Sequence, residues 1–404
     1  MSRSAILFQM VKDRLKLLGG SLIIGGTALG AGMLALPVVT AQAGFLPSLI
    51  IYAICWIYSL CTGLLFVEIC LWMPQDANII SMATHLLGRW GKITAWLLYI
   101  FLFYCLMVAY TSGGGGFIAE LFPVNPMVGS IIFTAIFGAV VTWSTKAVDR
   151  VNSLLMVGLI VSFVAFIAFG LGKVKPALAM RYNFWPGVMA LPVIFTSFSF
   201  QGTVPSIVAY FNRDGAMARK AIILGTCIPF AAYLIWEFLI LGIVPLSGTY
   251  GLLAAKMHQQ NAVLPLKYVL SDSPIYMIGQ FFSFFALTTS FLGVALGLTD
   301  FMSDGLQIAK KGLKKIGLAV IIFIPPLIIT AINPNVFLTA LGYAGGVGCA
   351  LLLGFMPALM TWVGRYKNDY PTIHQQLPGG KPVLIAIMTF VAFELVIELV
   401  SELS

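Results

Sequence analysis

The sequence predicts an all-α protein that crosses a bilayer many times, and three observations carry that prediction. Of its 404 residues, 60% are hydrophobic and only 9% are charged, a composition that places the chain among polytopic membrane proteins. Eleven apolar runs approach or exceed the ~20 residues that span a bilayer as a helix. They cover 17–43, 45–73, 93–121, 127–145, 151–172, 184–211, 219–245, 273–299, 316–332, 335–364 and 382–401. Two of them, the first and the sixth, carry helix-weakening residues in mid-membrane.

The first run has no small-residue cleavage site and is followed at once by another, so it reads as a span and not as a signal peptide. Basic residues then set the orientation. With the N-terminus inside, only Lys173, Lys175, Arg181, Lys256 and Lys267 of the 23 lysines and arginines fall in outer segments. The excess on the other side marks it as cytoplasmic, which leaves the C-terminus periplasmic or extracellular. The net charge of +9 therefore belongs to cytoplasmic helix ends and does not point to nucleic acid. The six cysteines lie in apolar segments without a CxxC pair and read as small buried hydrophobes, with no metal site or disulfide framework. His85, His258 and His374 all lie between spans. A membrane enzyme would want clustered histidines or carboxylates at an interface. The sequence has neither, and no cofactor is implied.

Taken in order, the first span holds GGTALGAG, with four glycines between Gly25 and Gly32. Each glycine costs a helix about 1 kcal/mol relative to alanine, which favours a break. Unwound backbone at membrane depth is tolerated only where protein or a water-filled cavity covers it. The alternative is a glycine face packed closely against a neighbouring helix. Ala77 to Trp90 reads as an amphipathic helix on the inner surface, with Ile79, Ile80, Met82, Ala83, Leu86 and Leu87 on its apolar side. The sixth span carries Gly202, with Pro205 three residues on, and proline both removes a donor and clashes with the preceding turn. Leu246 to Leu270 is a long outer loop with two helix-like pieces, a length typical of lids, although a passive cap fits equally.

The two interrupted spans lie five crossings apart, so they run in opposite directions. That is the sequence pointer to an inverted-repeat transporter with its site between the breaks. The repeats would be residues 1–172 and 173–364, with 365–404 forming a loop and an eleventh helix. The sequence also resembles a known family. GTALGAGMLALP (Gly26–Pro37), FSFQGTVPS (Phe198–Ser206) and FLGVALGLTDF (Phe291–Phe301), with TSGGGGF and WEFLILGIVP between them, are similar to motifs of the hydroxy/aromatic amino acid permeases. These are the bacterial tyrosine and tryptophan transporters of the amino acid–polyamine–organocation superfamily. The resemblance implies a LeuT-type five-plus-five inverted repeat with helices 1 and 6 broken, an eleventh transmembrane helix, and uptake of tyrosine or tryptophan with protons across the bacterial inner membrane. One position departs: the family often reads phenylalanine, histidine, glycine where this chain has Phe200, Gln201 and Gly202.

A zwitterionic amino acid needs a place for a carboxylate and one for an ammonium. Free N–H groups at a half-helix N-terminus suit the first, at Gly30, Ala31 and Gly32, where glycine permits close approach. Free carbonyls near Gly25, Gly26, Phe198 and Ser199 suit the second, and Thr27 is the hydroxyl within the break. No basic residue lies deep in any span, so backbone must hold the carboxylate. Tyr110, Phe195, Phe198, Phe200 and Tyr343 are candidate aromatic walls, with Gln201 and Gly202 at the second break. Most of the 30 phenylalanines must be core or lipid-facing, so each is weighed against simple packing.

Four acids fall inside spans. Glu237, near the middle of the seventh, is hardest to explain as structure, because a carboxylate there is usually paired, protonated or functional. It is the candidate proton carrier, with a protonated structural hydrogen-bond donor as the alternative. Glu68 toward the inner end of the second span suits either snorkelling to the surface or pairing with a cytoplasmic arginine. Glu394 and Glu398 share a face of the last helix at i, i+4, and an interface role suits them. Thr288, Thr289 and Ser290 in the eighth span offer hard oxygen ligands, so sodium is the competing coupling ion. The fifth span lacks the lysine that some proton-coupled relatives place there. Alternative cargoes are serine, threonine or a broader set of neutral amino acids. A non-transporting membrane sensor is the alternative from another class.

Overall fold

The computed structural model describes residues 3–75, 77–270, 274–308 and 313–403. Their regular structure is helical throughout. Ten helices are long and apolar enough to cross a membrane, and a bent pair completes an eleventh span. The protein is thus a multi-pass membrane protein, and most span boundaries lie within a few residues of the apolar runs. The first span begins at Arg3, the third begins at Ile79 and the eighth ends at Leu306, well outside theirs.

The two predicted breaks are present. Span 1 runs as Arg3–Ala28 and Ala31–Val39, bent by 54°. The helical ladder passes through Gly25, whose carbonyl still receives the Leu29 N–H at 3.0 Å, and fails only at Leu29 and Gly30. Span 6 is built from Phe184–Val188, Leu191–Ser197 and Val204–Tyr210. Phe198 to Phe200 is unwound, and Gln201–Thr203 forms a single 3-10 turn. Pro205 does not kink a helix. It occupies the first turn of the second half, where its missing N–H would have no partner anyway.

The remaining spans are Phe45–Trp72 (span 2), Ile79–Leu121 (span 3), Pro126–Trp143 (span 4), Thr145–Gly170 (span 5), Gly215–Ile243 (span 7), Ile275–Leu306 (span 8), Leu313–Ile332 (span 9) and Gly380–Leu403 (span 11). Span 10 runs from Phe337 to Tyr366 and includes a π-helical stretch, Ala344–Phe355. The amphipathic helix leads directly into span 3. Asn78 and Ser81 cap its start reciprocally, and only Gly88, at φ 70°, interrupts it. Ile79, Met82, Ala83 and Leu86 are buried, while Ile80 and Leu87 are half-buried. Spans 6 and 10 are the most enclosed, with 72% and 67% of their apolar windows buried, against 28% for spans 5 and 9. Broken span 6 therefore sits toward the centre, and spans 5 and 9 lie at the periphery. Small residues allow that crowding: Gly345 of span 10 lies so close to the Pro192 carbonyl of span 6 that no Cβ fits.

One buried ion pair closes the basic-loop side. Glu68 of span 2 accepts two hydrogen bonds from Arg365, Nε and Nη2 both at 2.7 Å, and a third from the Gln376 N–H at 3.0 Å. Arg365 is the arginine anticipated for Glu68. Removing one partner of a buried pair strands the other charge and costs on the order of 3 kcal/mol. Arg365→Leu should therefore lower the thermal unfolding temperature in detergent more than the double variant Glu68→Leu/Arg365→Leu does. Equal losses in the two would show that the pair holds nothing together.

Candidate functional site

A cavity of about 560 Å³ lies between the two breaks. Gly26, Thr27 and Leu29 of span 1, Ser199, Phe200, Gly202 and Thr203 of span 6, Tyr110 and Leu106 of span 3, and Thr289, Ser290 and Gly293 of span 8 form its upper wall. It continues past Leu352 and Leu353 of span 10 to Ile79, Tyr99, Phe103, Asn152 and Gly297, toward the side that carries the basic loops. Its size matches sites for small organic ligands. The lining is mostly apolar, with a few hydroxyls and one amide. The Asn152 side-chain oxygen is buried there with no hydrogen-bond partner among the described residues.

The opposite end is shut. The Ala262 N–H of the outer loop bonds the Leu34 carbonyl at 3.0 Å, and Asn183 N–H bonds the Ala43 carbonyl at 3.1 Å. The loop has the two short helices anticipated for it, Leu252–Met257 and Leu266–Val269. Glu237, fully buried, ties three spans together here. It accepts from Thr40 Oγ1 at the end of span 1 at 2.6 Å, and from the Tyr52 hydroxyl of span 2 at 2.8 Å. Arg181 donates to the Ala41 carbonyl at 3.2 Å. Burial pulls the Arg181 guanidinium below its ordinary value and the Glu237 charge opposes that, so the two groups sense each other. Glu237 stands six residues from the outer end of span 7, not near its middle as the apolar run suggested.

Each break has one backbone N–H held by a side-chain oxygen. At span 1, the first free N–H of the second half, Ala31, donates to Ser290 Oγ of span 8 at 3.0 Å. At span 6, the Phe200 N–H donates to the Gln201 side-chain oxygen at 2.9 Å, and the Gln201 amide donates to Thr62 Oγ1 at 2.9 Å. Between them stands Tyr233 of span 7. Its hydroxyl lies 2.5 Å from the Ala28 carbonyl and 2.7 Å from the Ser197 carbonyl. These are the C-terminal ends of the two half-helices, where carbonyls lack intrahelical donors.

The predicted residues separate into two groups. Gly26, Thr27, Tyr110, Ser199, Phe200, Gly202 and Thr289 border the cavity together with Ser290. Gly30, Ala31 and Gly32 stand just behind it, with Gly32 packed on Ser197. Phe195 is stacked on Tyr58 at 4.7 Å, and Phe198 packs edge-on to Tyr233 at 4.9 Å, so both rings point into protein. Gln201 faces Thr62, and Tyr343 and Thr288 do not border the cavity. Thr288 Oγ1 is buried with no partner among the described residues, while Thr289 Oγ1 turns back to its own helix carbonyls. Tyr233, Thr40, Tyr52 and Asn152 were not anticipated. Tyr233 was within reach, since it precedes Glu237 by four residues and so shares its helix face.

Comparison with known proteins gives a consistent result. The profile of the tryptophan/tyrosine permease family matches residues 13–398. A tryptophan-specific transport protein of Pseudomonas aeruginosa is 31% identical over 394 residues, covering 95% of this chain and 94% of that one. A tyrosine-specific transport system 2 of Haemophilus influenzae is 33% identical over 381 residues, covering 92% and 93%. Among solved structures, MhsT in complex with L-phenylalanine superposes with a TM-score of 0.67 at 17% identity, covering 95% of this chain and 98% of MhsT. The fold is the LeuT-type inverted repeat, with helices 1 and 6 broken and an eleventh helix added.

Proposed function

The chain belongs to the tryptophan/tyrosine permease family, and from that premise we propose that it imports tryptophan or tyrosine by proton symport. The observation that carries the reading is the cavity between the breaks, which brings half-helix ends, hydroxyls and aromatic walls to one place. In this reading residues 1–172 and 173–364 are the two repeats, and the protein sits in the cytoplasmic membrane with its N-terminus inside. The cavity then opens to the cytoplasm, as in a transporter poised to release cargo. The substrate carboxylate takes the N–H groups at Gly30, Ala31 and Gly32, displacing the Ser290 hydroxyl from Ala31. Its ammonium takes carbonyls at Leu29 and Phe198 beside Thr27 and Ser199. The side chain lies toward Tyr110 and Phe200. Glu237 carries the coupled proton, and its charge bears on the contacts that hold the outer half of span 1 shut. Alternating access follows from one bundle rocking against the other around the breaks.

A second reading replaces the proton with sodium, because Thr289 and Ser290 line the cavity and the Ser290 hydroxyl already meets the first break at the Ala31 N–H. Uptake of labelled tryptophan, tyrosine and serine into proteoliposomes, with proton and sodium gradients imposed separately, decides between them. Accumulation of an aromatic amino acid under an inward proton gradient alone is expected. Accumulation under sodium alone would establish the second reading, preferential uptake of serine would reassign the cargo, and binding without uptake would favour a sensor.

A further inference from the structure

Span 11 stands outside the ten spans that contain the breaks, yet it carries a deeply buried acid. Glu394 is fully buried, and among the described residues no hydrogen-bond donor reaches either carboxyl oxygen. Glu398, one turn on, is also buried, with its carboxyl group against Gly346 of span 10. Tyr58 of span 2 lies in the same seam, edge-on to Phe390, one turn before Glu394. Its hydroxyl is buried beside Gly354 and likewise has no partner. The other titratable groups facing the pair are thiols. Cys55 of span 2 and Cys349 of span 10 are within electrostatic reach of Glu394, and Cys105 of span 3 is within reach of Glu398. Among the described residues no lysine, arginine or histidine stands with Glu394.

A carboxylate at membrane depth without donors or a cation is costly, and acids kept there mark proton or ion sites. A second acid at i+4 adds repulsion if both are charged. The seam is also placed to matter. Ala344–Phe355 of span 10 is π-helical, a geometry that recurs at functional sites. Gly346 in that stretch meets Glu398, while Leu352 and Leu353 in the same stretch line the cavity.

We propose that Glu394, with Glu398 and the Tyr58 hydroxyl, is a second proton-binding site whose occupancy sets how span 11 packs on span 10, and through it the affinity of the cavity. With its proton, Glu394 is neutral and the seam stays closed. Losing that proton puts an unpaired charge between spans 2, 10 and 11 and forces them apart. Affinity for the substrate therefore falls as pH rises. The site is distinct from Glu237, which has two hydroxyl donors and lies against span 1.

Two measurements test this, the second resting on the cargo proposed above and the first independent of it. Infrared spectra of the reconstituted Glu237→Gln protein should retain a protonated carboxyl stretch that disappears when Glu394→Gln is added. Binding of tryptophan and tyrosine measured against pH should weaken roughly tenfold toward high pH in the parent, a coupling of ordinary size, and stay flat in Glu394→Gln. Glu394→Leu, which fills the same space without a charge, should also be flat and guards against a folding defect of the amide. Persistence of the carboxyl stretch in the Glu237→Gln/Glu394→Gln double variant, or a parent-like pH profile in Glu394→Gln or Glu394→Leu, would overturn the proposal. The infrared result needs no substrate and no Glu237 chemistry, so it stands whichever cargo or coupling group proves correct.

Discussion

Gly202→Leu is expected to abolish substrate binding while leaving membrane insertion and thermal stability near those of the parent. A Cβ at Gly202 would meet no atom within 4 Å, and the residue borders the cavity between the breaks. The added side chain therefore grows into the space reserved for ligand and not into protein. Forcing a ligand against surplus methylenes costs on the order of 3 kcal/mol, roughly 100-fold in Kd. Gly30→Leu makes the comparison informative. There a Cβ would collide with Ser290 Oγ, the group that accepts the Ala31 N–H, so this variant should lose thermal stability as well as binding. Equilibrium binding of tryptophan and tyrosine to purified protein, with melting curves on the same samples, checks both halves. Affinities within threefold of the parent for both variants would remove the breaks from the site.

The spans were readable because length and hydropathy are dictated by the bilayer, and a run of about 20 apolar residues has few other uses. The first break was readable too, since glycine weakens a helix wherever it stands. The second was readable only as a region. Gly202 and Pro205 mark it in the sequence, but the unwound residues are Phe198, Ser199 and Phe200, none of them a helix breaker. Their backbone is held open by tertiary contacts. Gln201 supplies an acceptor to the Phe200 N–H while anchored on Thr62, and Tyr233 meets the Ser197 carbonyl. Such contacts join residues 36 and 139 positions apart, and no local pattern encodes them. The same limit explains the aromatic candidates. Tyr110 and Phe200 reach the cavity, whereas Phe195 and Phe198, equally aromatic and on the same span, pack inward. Span 6 is short of regular periodicity at its break, so helical spacing could not assign its faces. Glu237 was identified by its cost, but its partners, Thr40 and Tyr52, are hydroxyls of ordinary appearance in apolar runs.

Glu237→Gln should separate proton-driven accumulation from substrate exchange. The amide keeps the shape of the side chain, and its oxygen can still accept from Thr40, which now lies 2.6 Å from one carboxyl oxygen. The Tyr52 hydroxyl, 2.8 Å from the other, would meet an amide group and turn to accept from it. The outer contacts can therefore survive, but the site can no longer alternate between charged and neutral forms. If Glu237 carries the coupled proton, an inward proton gradient should no longer drive accumulation in Glu237→Gln proteoliposomes. Exchange of internal for external substrate, which need not move a net proton, should continue. A purely structural Glu237 predicts that glutamine supports gradient-driven uptake almost as well as the parent. Loss of exchange together with uptake would place the damage in the fold of the outer contacts, and a melting curve would reveal it. Intact proton-driven accumulation in the variant would instead remove Glu237 from coupling and assign the transported proton to another group.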